Sequence, residues 1–259
     1  MKRRGFITLI GGAAAWPLAA RAQQAGRMRR IGVLTNLAEN DPEARFRNAA
    51  LLEELQQLGW IEGRNMQIDY RFALGNMARL RQYAAELVAL APDVILATGQ
   101  EATGALQQAT RTVPIVFVLV PDPVGAGFVD SLARPGGNVI GFTPFEFGIS
   151  AKWLELLKEI APGVKRVAVL RDAAVPEVGQ FAIIQATAPS FGVDVSPISA
   201  RDASEIERVI TTFARSSNGG LIVPGSALAA VHRVQIATLA AQNNLPAIYF
   251  NRFFVLLAA

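Results

Sequence analysis

Short apolar runs alternate with amphipathic stretches along most of the chain. In the clearest case Pro92 ends a predicted helix, residues 93–97 (DVILA) form an apolar run, and Thr98 and Gly99 turn the chain into a helix over residues 100–110. A short apolar run followed by a helix is typical of a parallel strand that is buried on both faces. This strand–turn–helix unit predicts an α/β fold.

The same unit is repeated before and after this segment. The predicted strands are residues 30–35, 66–72, 93–97, 114–120, 139–142, 165–171, 193–198, 219–224 and 246–250. The predicted helices are residues 41–58, 77–90, 100–110, 122–133, 150–160, 176–191, 202–215 and 226–243. Two of these helices have an aspartate followed by proline at their start, which is a favourable N-cap with proline in the first turn.

The order of elements occurs twice. Residues 165–171 (KRVAVLR) correspond to residues 29–35 (RRIGVLT), and residues 219–224 correspond to residues 93–98. This duplication predicts two Rossmann-like, doubly wound α/β lobes, residues 29–143 and 144–259, which face each other across a cleft. The first crossover between them is expected at residues 143–148. One larger continuous sheet is the alternative.

The first 22 residues have the pattern of an export signal. A basic start (KRR) precedes a glycine-containing apolar stretch, and Ala20-Arg21-Ala22 forms a small-x-small cleavage site. Arg3-Arg4 resembles a twin-arginine signal but lacks the usual preceding Ser or Thr, so the Sec route remains open. An uncleaved anchor is the alternative. We expect a mature chain that starts near Gln23 and is free in a bacterial periplasm.

Composition narrows the chemistry. The chain has no cysteine and one histidine, so disulfides, thiolate metal sites and histidine clusters are excluded. The formal charge is +4, and four basic residues in the leader account for all of it. The high pI is therefore no evidence for nucleic-acid binding, and we predict no cofactor and no metal.

Six segments carry a resemblance to a known family. They are residues 30–34 (RIGVL), 58–65 (LGWIEGRN), 92–99 (PDVILATG), 114–117 (PIVF), 122–129 (DPVGAGFV) and 132–143 (LARPGGNVIGFT). In this order they resemble the periplasmic substrate-binding proteins of ABC transporters, in the group related to tryptophan- and tyrosine-binding lipoproteins. The resemblance covers roughly residues 29–249.

The resemblance implies a type I periplasmic binding fold with a hinge, and a role as the solute-binding component of an ABC importer. The implied ligand is an amino acid or aromatic acid, and the implied partners are a permease and an ATPase. The chain departs from the family at two places. It stops at residue 259 where relatives continue, so we expect a shortened C-terminal end, and Pro224-Gly225-Ser226 stands where relatives usually carry an aspartate.

Ligands of open α/β sheets bind beyond the carboxyl ends of the strands. This rule predicts neutral hydrogen-bonding groups and two helix starts that suit a carboxylate. Arg171 is a candidate partner for the carboxylate, with a surface position as the alternative, and Asp122 or Asp172 is a candidate acceptor for an ammonium group, with a helix N-cap as the alternative for Asp122. The predicted ligand-binding residues are Thr35, Asn36, Thr98, Gly99, Gln100, Pro121, Asp122, Thr143, Arg171, Asp172, Gly225, Ser226, Tyr249 and Asn251.

Three other functions are weaker. A periplasmic hydrolase needs an activated nucleophile beside a base, but the chain lacks a Gly-x-Ser-x-Gly elbow and its single histidine, His232, lies within a predicted helix. A sugar-repressor-like regulator needs an amino-terminal helix-turn-helix, and the export signal occupies that position. A sensory binding protein that presents its ligand to a membrane receptor is not distinguished from a transport protein by sequence.

Overall fold

The computed structural model describes residues 27–144, 148–174 and 179–254 of the chain. The predicted export signal and the last five residues lie outside this part. The described residues form two fully parallel sheets, which confirms the α/β prediction and excludes one continuous sheet. No helix of the described residues combines the length and apolar character that a bilayer crossing requires.

The first sheet has five strands in the order β2-β1-β3-β4-β5. Its strands are β1 (Arg29–Thr35), β2 (Met66–Phe72), β3 (Val94–Thr98), β4 (Ile115–Val118) and β5 (Val139–Phe142). Its helices are α1 (Pro42–Gln57), α2 (Met77–Ala89) and α3 (Gln100–Ala109). This strand order is one of the two common doubly wound arrangements, in which the chain reverses direction beside the first strand.

The second sheet repeats the order with four strands, β7-β6-β8-β9. Its strands are β6 (Arg166–Asp172), β7 (Asp194–Ala200), β8 (Gly219–Val223) and β9 (Ala247–Tyr249). Its helices are α4 (Ile149–Ile160), α5 (Gly179–Thr187), α6 (Ala203–Ala214), α7 (Ala227–Val231) and α8 (Arg233–Gln242), and short 3-10 turns follow at Ala188–Phe191 and Arg252–Phe254.

Each sheet has its own core on both faces. In the first sheet Leu34 and Phe117 pack with the α2 and α3 side chains, and the opposite face packs against α1. In the second, Leu221 and Val223 pack with α6 and α8, and Ile222 packs with α4 on the other face. Burial on both faces explains why these strands are nearly continuous apolar runs in the sequence.

The predicted helix over residues 122–133 is wrong. Residues 121–138 form turns, in which Asp122 Oδ1 accepts a hydrogen bond from the Gly125 N–H at 2.7 Å. An aspartate that caps its own turn competes with a helix, and Gly125 and Gly127 make helix formation less favourable. Gly127 has a left-handed φ of 71°. The Asp-Pro pair therefore marks a turn here.

The predicted single helix over residues 226–243 is interrupted at His232, between α7 and α8. Arg233 Nη1 donates a hydrogen bond to the Ala230 carbonyl oxygen at 2.8 Å. In a continuous helix this oxygen accepts from the N–H of residue 234. At the break, the side chain of Arg233 therefore donates to a carbonyl oxygen that a backbone N–H would bond in a continuous helix.

Two other predicted elements are shorter than the sequence suggests. The strand predicted over residues 114–120 ends at Val118, because Leu119 adopts a left-handed φ of 59°. The helix predicted over residues 176–191 ends at Thr187 and continues as the 3-10 turn that contains Pro189, and residues 176–178 lie outside the described part. A proline removes a helical donor, so the tightened end is expected.

Candidate functional site

A cavity of about 200 Å³ lies between the carboxyl ends of the two sheets. The first half of the chain contributes the ends of β1, β3 and β4, and the second half contributes the segments after β8 and β9. The lining residues are Thr35, Asn36, Leu37, Arg47, Thr98, Gly99, Gln100, Glu101, Leu119, Pro121, Pro144, Gly225, Ser226, Ala227, Ala230, Phe250 and Asn251.

The turn between β3 and α3 forms one wall. Gly99 has a φ of 92°, a conformation that residues other than glycine rarely adopt. Its N–H donates to the Val118 carbonyl oxygen at 2.9 Å. The Gly99 carbonyl accepts from both the N–H and the hydroxyl of Thr103. This turn starts α3 at Gln100, so first-turn N–H groups with a partial positive charge adjoin the cavity.

The end of β1 forms the adjacent wall, because Thr35 is in register with Thr98. Thr35 Oγ1 accepts from the Leu37 N–H at 3.3 Å. Asn36 is buried, and its Nδ2 donates to Glu101 Oε2 at 3.1 Å. None of the described residues hydrogen-bonds its buried Oδ1, which is uncommon for a side-chain acceptor.

Glu101 lies in the first turn of α3 and is buried. Burial raises its pKa to about 7, and the negative charge of Asp172 acts in the same direction. Hydrogen bonds from its own N–H, from the Ala227 N–H and from Asn36 oppose the rise in pKa. Glu101 therefore connects the first half of the chain to the start of α7, and its carboxyl group is partly protonated near neutral pH.

Arg47 is the one arginine among the described residues that line the cavity. It lies on α1, where its Nε donates to Glu43 Oε1 at 2.8 Å one turn earlier. A guanidinium group has five N–H donors in a planar fork. The ion pair with Glu43 uses one of them and orients the group, so donors remain for a ligand.

The second half contributes Gly225, Ser226, Ala227 and Ala230 from the start of α7. Ser226 Oγ caps this helix by accepting from the Ala229 N–H at 3.1 Å, and its hydroxyl hydrogen remains available to donate. The Phe250 ring forms an apolar wall, held edge-on against Phe253 and Phe254.

Nine of the fourteen predicted site residues line the cavity, and five do not. Asp122 caps its own turn, and Arg171 stacks its guanidinium 5.3 Å from the Phe181 ring centroid. Tyr249 stacks on Phe254 with ring centroids 4.7 Å apart. The other two are Thr143 and Asp172.

Thr143 is half-buried beside Pro144, which does line the cavity. Asp172 is buried, and the N–H groups of Ala174 and Leu228 donate to its carboxylate. Burial raises the pKa of Asp172, and the two N–H groups oppose the rise. Asp172 does not line the cavity, but its negative charge raises the pKa of Glu101, which does.

The two halves also touch beside the cavity. Arg233 Nη1 and Asp41 Oδ2 form an ion pair at 2.8 Å, in which the two side chains are only 9% and 11% exposed. Arg233 also lies over the Phe253 ring at 5.6 Å. Asp41 caps α1 and Arg233 starts α8, so this pair joins helices that belong to different sheets.

The family model for "ABC transporter substrate binding protein" matches residues 34–252, which include the cavity-lining segments described above. The chain belongs to this family. The family match extends over both sheets, and it confirms the resemblance deduced from the six sequence segments.

Three relatives illustrate the similarity. The chain is 32% identical over 148 residues to a tyrosine-binding protein of Clostridioides difficile, a match that covers 57% of this chain and 42% of that protein. The chain thus spans about two fifths of that relative. A Streptococcus ABC domain in complex with L-Trp shares the fold, with a TM-score of 0.80, 22% identity, and coverage of 89% and 76%.

A ligand-free, open substrate binding protein with adhesive properties from Clostridium difficile is similar at 28% identity. Its TM-score is 0.57, with coverage of 86% of this chain and 74% of that one. These structures support the assignment of the type I periplasmic binding fold.

Proposed function

We propose that the chain is the solute-binding component of an ABC importer outside the cytoplasmic membrane, and that it captures a small carboxylate-bearing solute in the cavity. One observation carries this proposal: both sheets contribute strand-end segments to a single cavity with a positive wall and neutral hydrogen-bonding groups. A ligand that contacts both walls favours the arrangement in which the halves meet.

The carboxylate subsite consists of Arg47 and the start of α3. A guanidinium group binds a carboxylate through two parallel hydrogen bonds, and a helix start favours negative charge. Thr98, Gln100 and Ser226 add neutral donors around it. Arg47 therefore replaces Arg171, which the sequence suggested for this role.

The size and walls of the cavity favour an amino acid or a small aromatic acid. Drug-sized ligands occupy cavities of about 300–1,000 Å³, and this cavity has about 200 Å³. Leu37, Leu119, Pro121 and Phe250 supply apolar surface for a side chain or ring. The relative that is a tyrosine-binding protein, and the shared fold with a tryptophan complex, agree with such a ligand.

We further propose that the two sheets with their helices are the two lobes predicted from the sequence, and that they close about the ligand. The partners are a permease and an ATPase, which supply the energy for import. We assign no catalytic role to the cavity, because the described residues that line it include no histidine to act as a base beside the Ser226 hydroxyl.

A thermal-shift screen on the purified protein tests the proposed ligand class. The probes are L-tyrosine, L-tryptophan, L-leucine and benzoate, each compared with tyramine, tryptamine, isopentylamine or benzyl alcohol, which lack the carboxylate. We expect at least one carboxylate to raise the Tm in a concentration-dependent manner, and Arg47→Met to reduce that rise. No shift with any carboxylate, or equal shifts with the carboxylate-free analogues, would contradict the proposal.

A further inference from the structure

Two residues that carry hydrogen-bond acceptors, Asn36 and Glu101, touch each other and line the first-sheet wall of the cavity. Within the described part of the chain the buried Asn36 Oδ1 has no hydrogen-bond partner, and Nδ2 of the same amide donates to Glu101. A carboxylate offers about four acceptor sites, and the described hydrogen bonds to Glu101 use three of them. The wall therefore has acceptors left over for a donor that is not part of the protein.

We propose that Asn36 and Glu101 form a subsite for the protonated amino group of the ligand, so that the cavity selects α-amino acids over acids that lack an amino group. This inference rests on the proposed function and narrows its ligand class. An ammonium group has three donors and one positive charge, which matches an unpaired amide oxygen beside a carboxyl group.

The opposite charges in the cavity are arranged for a zwitterion. Arg47 and the start of α3 provide the positive wall, and Glu101 and Asn36 provide the acceptors. An α-amino acid carries its carboxylate and ammonium groups on the same carbon, so both subsites must be reached from one small cavity. An aromatic acid without an amino group leaves Asn36 Oδ1 buried and unpaired, which is costly.

Charge around Glu101 supports the same assignment. In the described part of the chain the groups that face it are Asn36 from the end of β1, the Ala227 N–H from α7, and the buried carboxyl of Asp172 at the end of β6. Arg47 is the charged lining residue on α1. Two neighbouring buried carboxyl groups repel each other when both are ionised, and a bound ammonium group relieves that repulsion.

This chemistry predicts proton release on binding. The pKa of Glu101 is raised to about 7 without ligand, so a fraction of the molecules carries the proton at neutral pH. An ammonium group favours the ionised carboxylate and displaces that proton into the buffer. A carboxyl group that served only as a contact between the two halves would release no proton that depends on the ligand's amino group.

The experiment is isothermal titration calorimetry on the purified protein with matched ligand pairs. The pairs are L-tyrosine with 3-(4-hydroxyphenyl)propanoate, L-tryptophan with indole-3-propanoate, and L-leucine with 4-methylpentanoate. Titrations in buffers of different ionisation enthalpy give the number of protons released. We expect the amino acid to bind at least about tenfold more tightly than its partner, the range for hydrogen bonds to charged groups.

We expect release of a fraction of a proton per bound ligand at neutral pH and a smaller release at about pH 8.5, where more of the Glu101 carboxyl is already ionised. Glu101→Gln keeps the size of the side chain, abolishes the release and removes the preference for the amino acid. Glu155→Gln changes a half-buried glutamate on α4 that pairs with Lys152 away from the cavity, and this control leaves both unchanged. If Glu101→Gln fails to fold, the proton release measured with the wild-type protein still tests the ammonium subsite.

The outcomes separate the two proposals. If neither member of any pair binds, the proposed function fails together with the subsite. If both members bind equally, or if the amino acid releases no proton, the proposed function stands and the ammonium subsite is overturned. A preference that survives in Glu101→Gln also overturns it.

Discussion

The ion pair between Asp41 and Arg233 is expected to set part of the ligand affinity, because it joins the two halves beside the cavity. The perturbation is Arg233→Met, which removes the charge and keeps an apolar side chain over Phe253. The substitution leaves the N-cap contact of Asp41 at the start of α1 in place. The buried Asp41 carboxylate then lacks its charged partner while the halves are together. When the halves separate, water reaches it and takes the place of the guanidinium.

The burial of the ion pair sets the expected change in Kd. With side chains 9% and 11% exposed, solvent screens this pair little. Hydrogen bonds to charged groups contribute about 1.5–3 kcal/mol, which corresponds to a change of about 10- to 150-fold in Kd. Removing one partner of a fully buried pair costs about 3–5 kcal/mol, and separation of the halves relieves part of this cost. We therefore expect Kd to rise by about 10- to 150-fold.

The assay is calorimetric titration with the amino acid that gives the largest thermal shift. Arg208→Met removes an exposed arginine from α6 and serves as the control. Asp41→Asn keeps the capping oxygen and loses the charge, so a double-mutant cycle isolates the coupling between the two residues. If Arg233→Met binds within about twofold of the control, the pair does not contribute to the ligand-bound arrangement.

Two further predictions concern stability. Burial raises the pKa of Glu101 from 4.5 to about 7, so the folded chain retains a proton that the unfolded chain releases. Stability is therefore lost as pH rises from about 4.5 to about 7, by roughly 3 kcal/mol. The Tm difference between wild type and Glu101→Gln is expected to change only in this pH range. Parallel Tm curves would contradict this. A Cβ at Gly141 would overlap the carbonyl oxygen and ring of Phe117, whereas Gly137 faces open space. In urea unfolding we expect Gly141→Ala to cost about 1–3 kcal/mol and Gly137→Ala to cost less than 1 kcal/mol; equal costs would rule out the overlap.

The fold could be predicted because burial on both faces leaves a strong signal in the sequence. The apolar runs of β1, β3, β6 and β8 have no alternative explanation once helices separate them. The segment after β4 could not be predicted in this way. Asp122 followed by proline is an equally good start for a helix or for a turn, and the glycines that follow decide between them.

The candidate site could be predicted in part, because strand ends of a parallel sheet meet at one edge. That rule identified Thr35, Asn36 and Thr98 to Gln100, which the structure brings to one cavity. It missed Arg47, which lies on a helix, and Glu101, since acids are common in the first turn of any helix. Nothing in the sequence distinguishes these two residues from surface charges; only the meeting of the two halves does.

The central claim is that the cavity between the two sheets binds one small carboxylate-bearing solute. The most direct measurement is calorimetric titration of the purified protein with L-tyrosine, L-tryptophan, L-leucine and benzoate. The comparison variants are Ala230→Trp, which fills the cavity, and Ala186→Trp, which enlarges an exposed residue of α5. We predict saturable binding of one ligand per chain that is lost in Ala230→Trp and kept in Ala186→Trp. No binding of any probe, or binding that survives in Ala230→Trp, would contradict the claim.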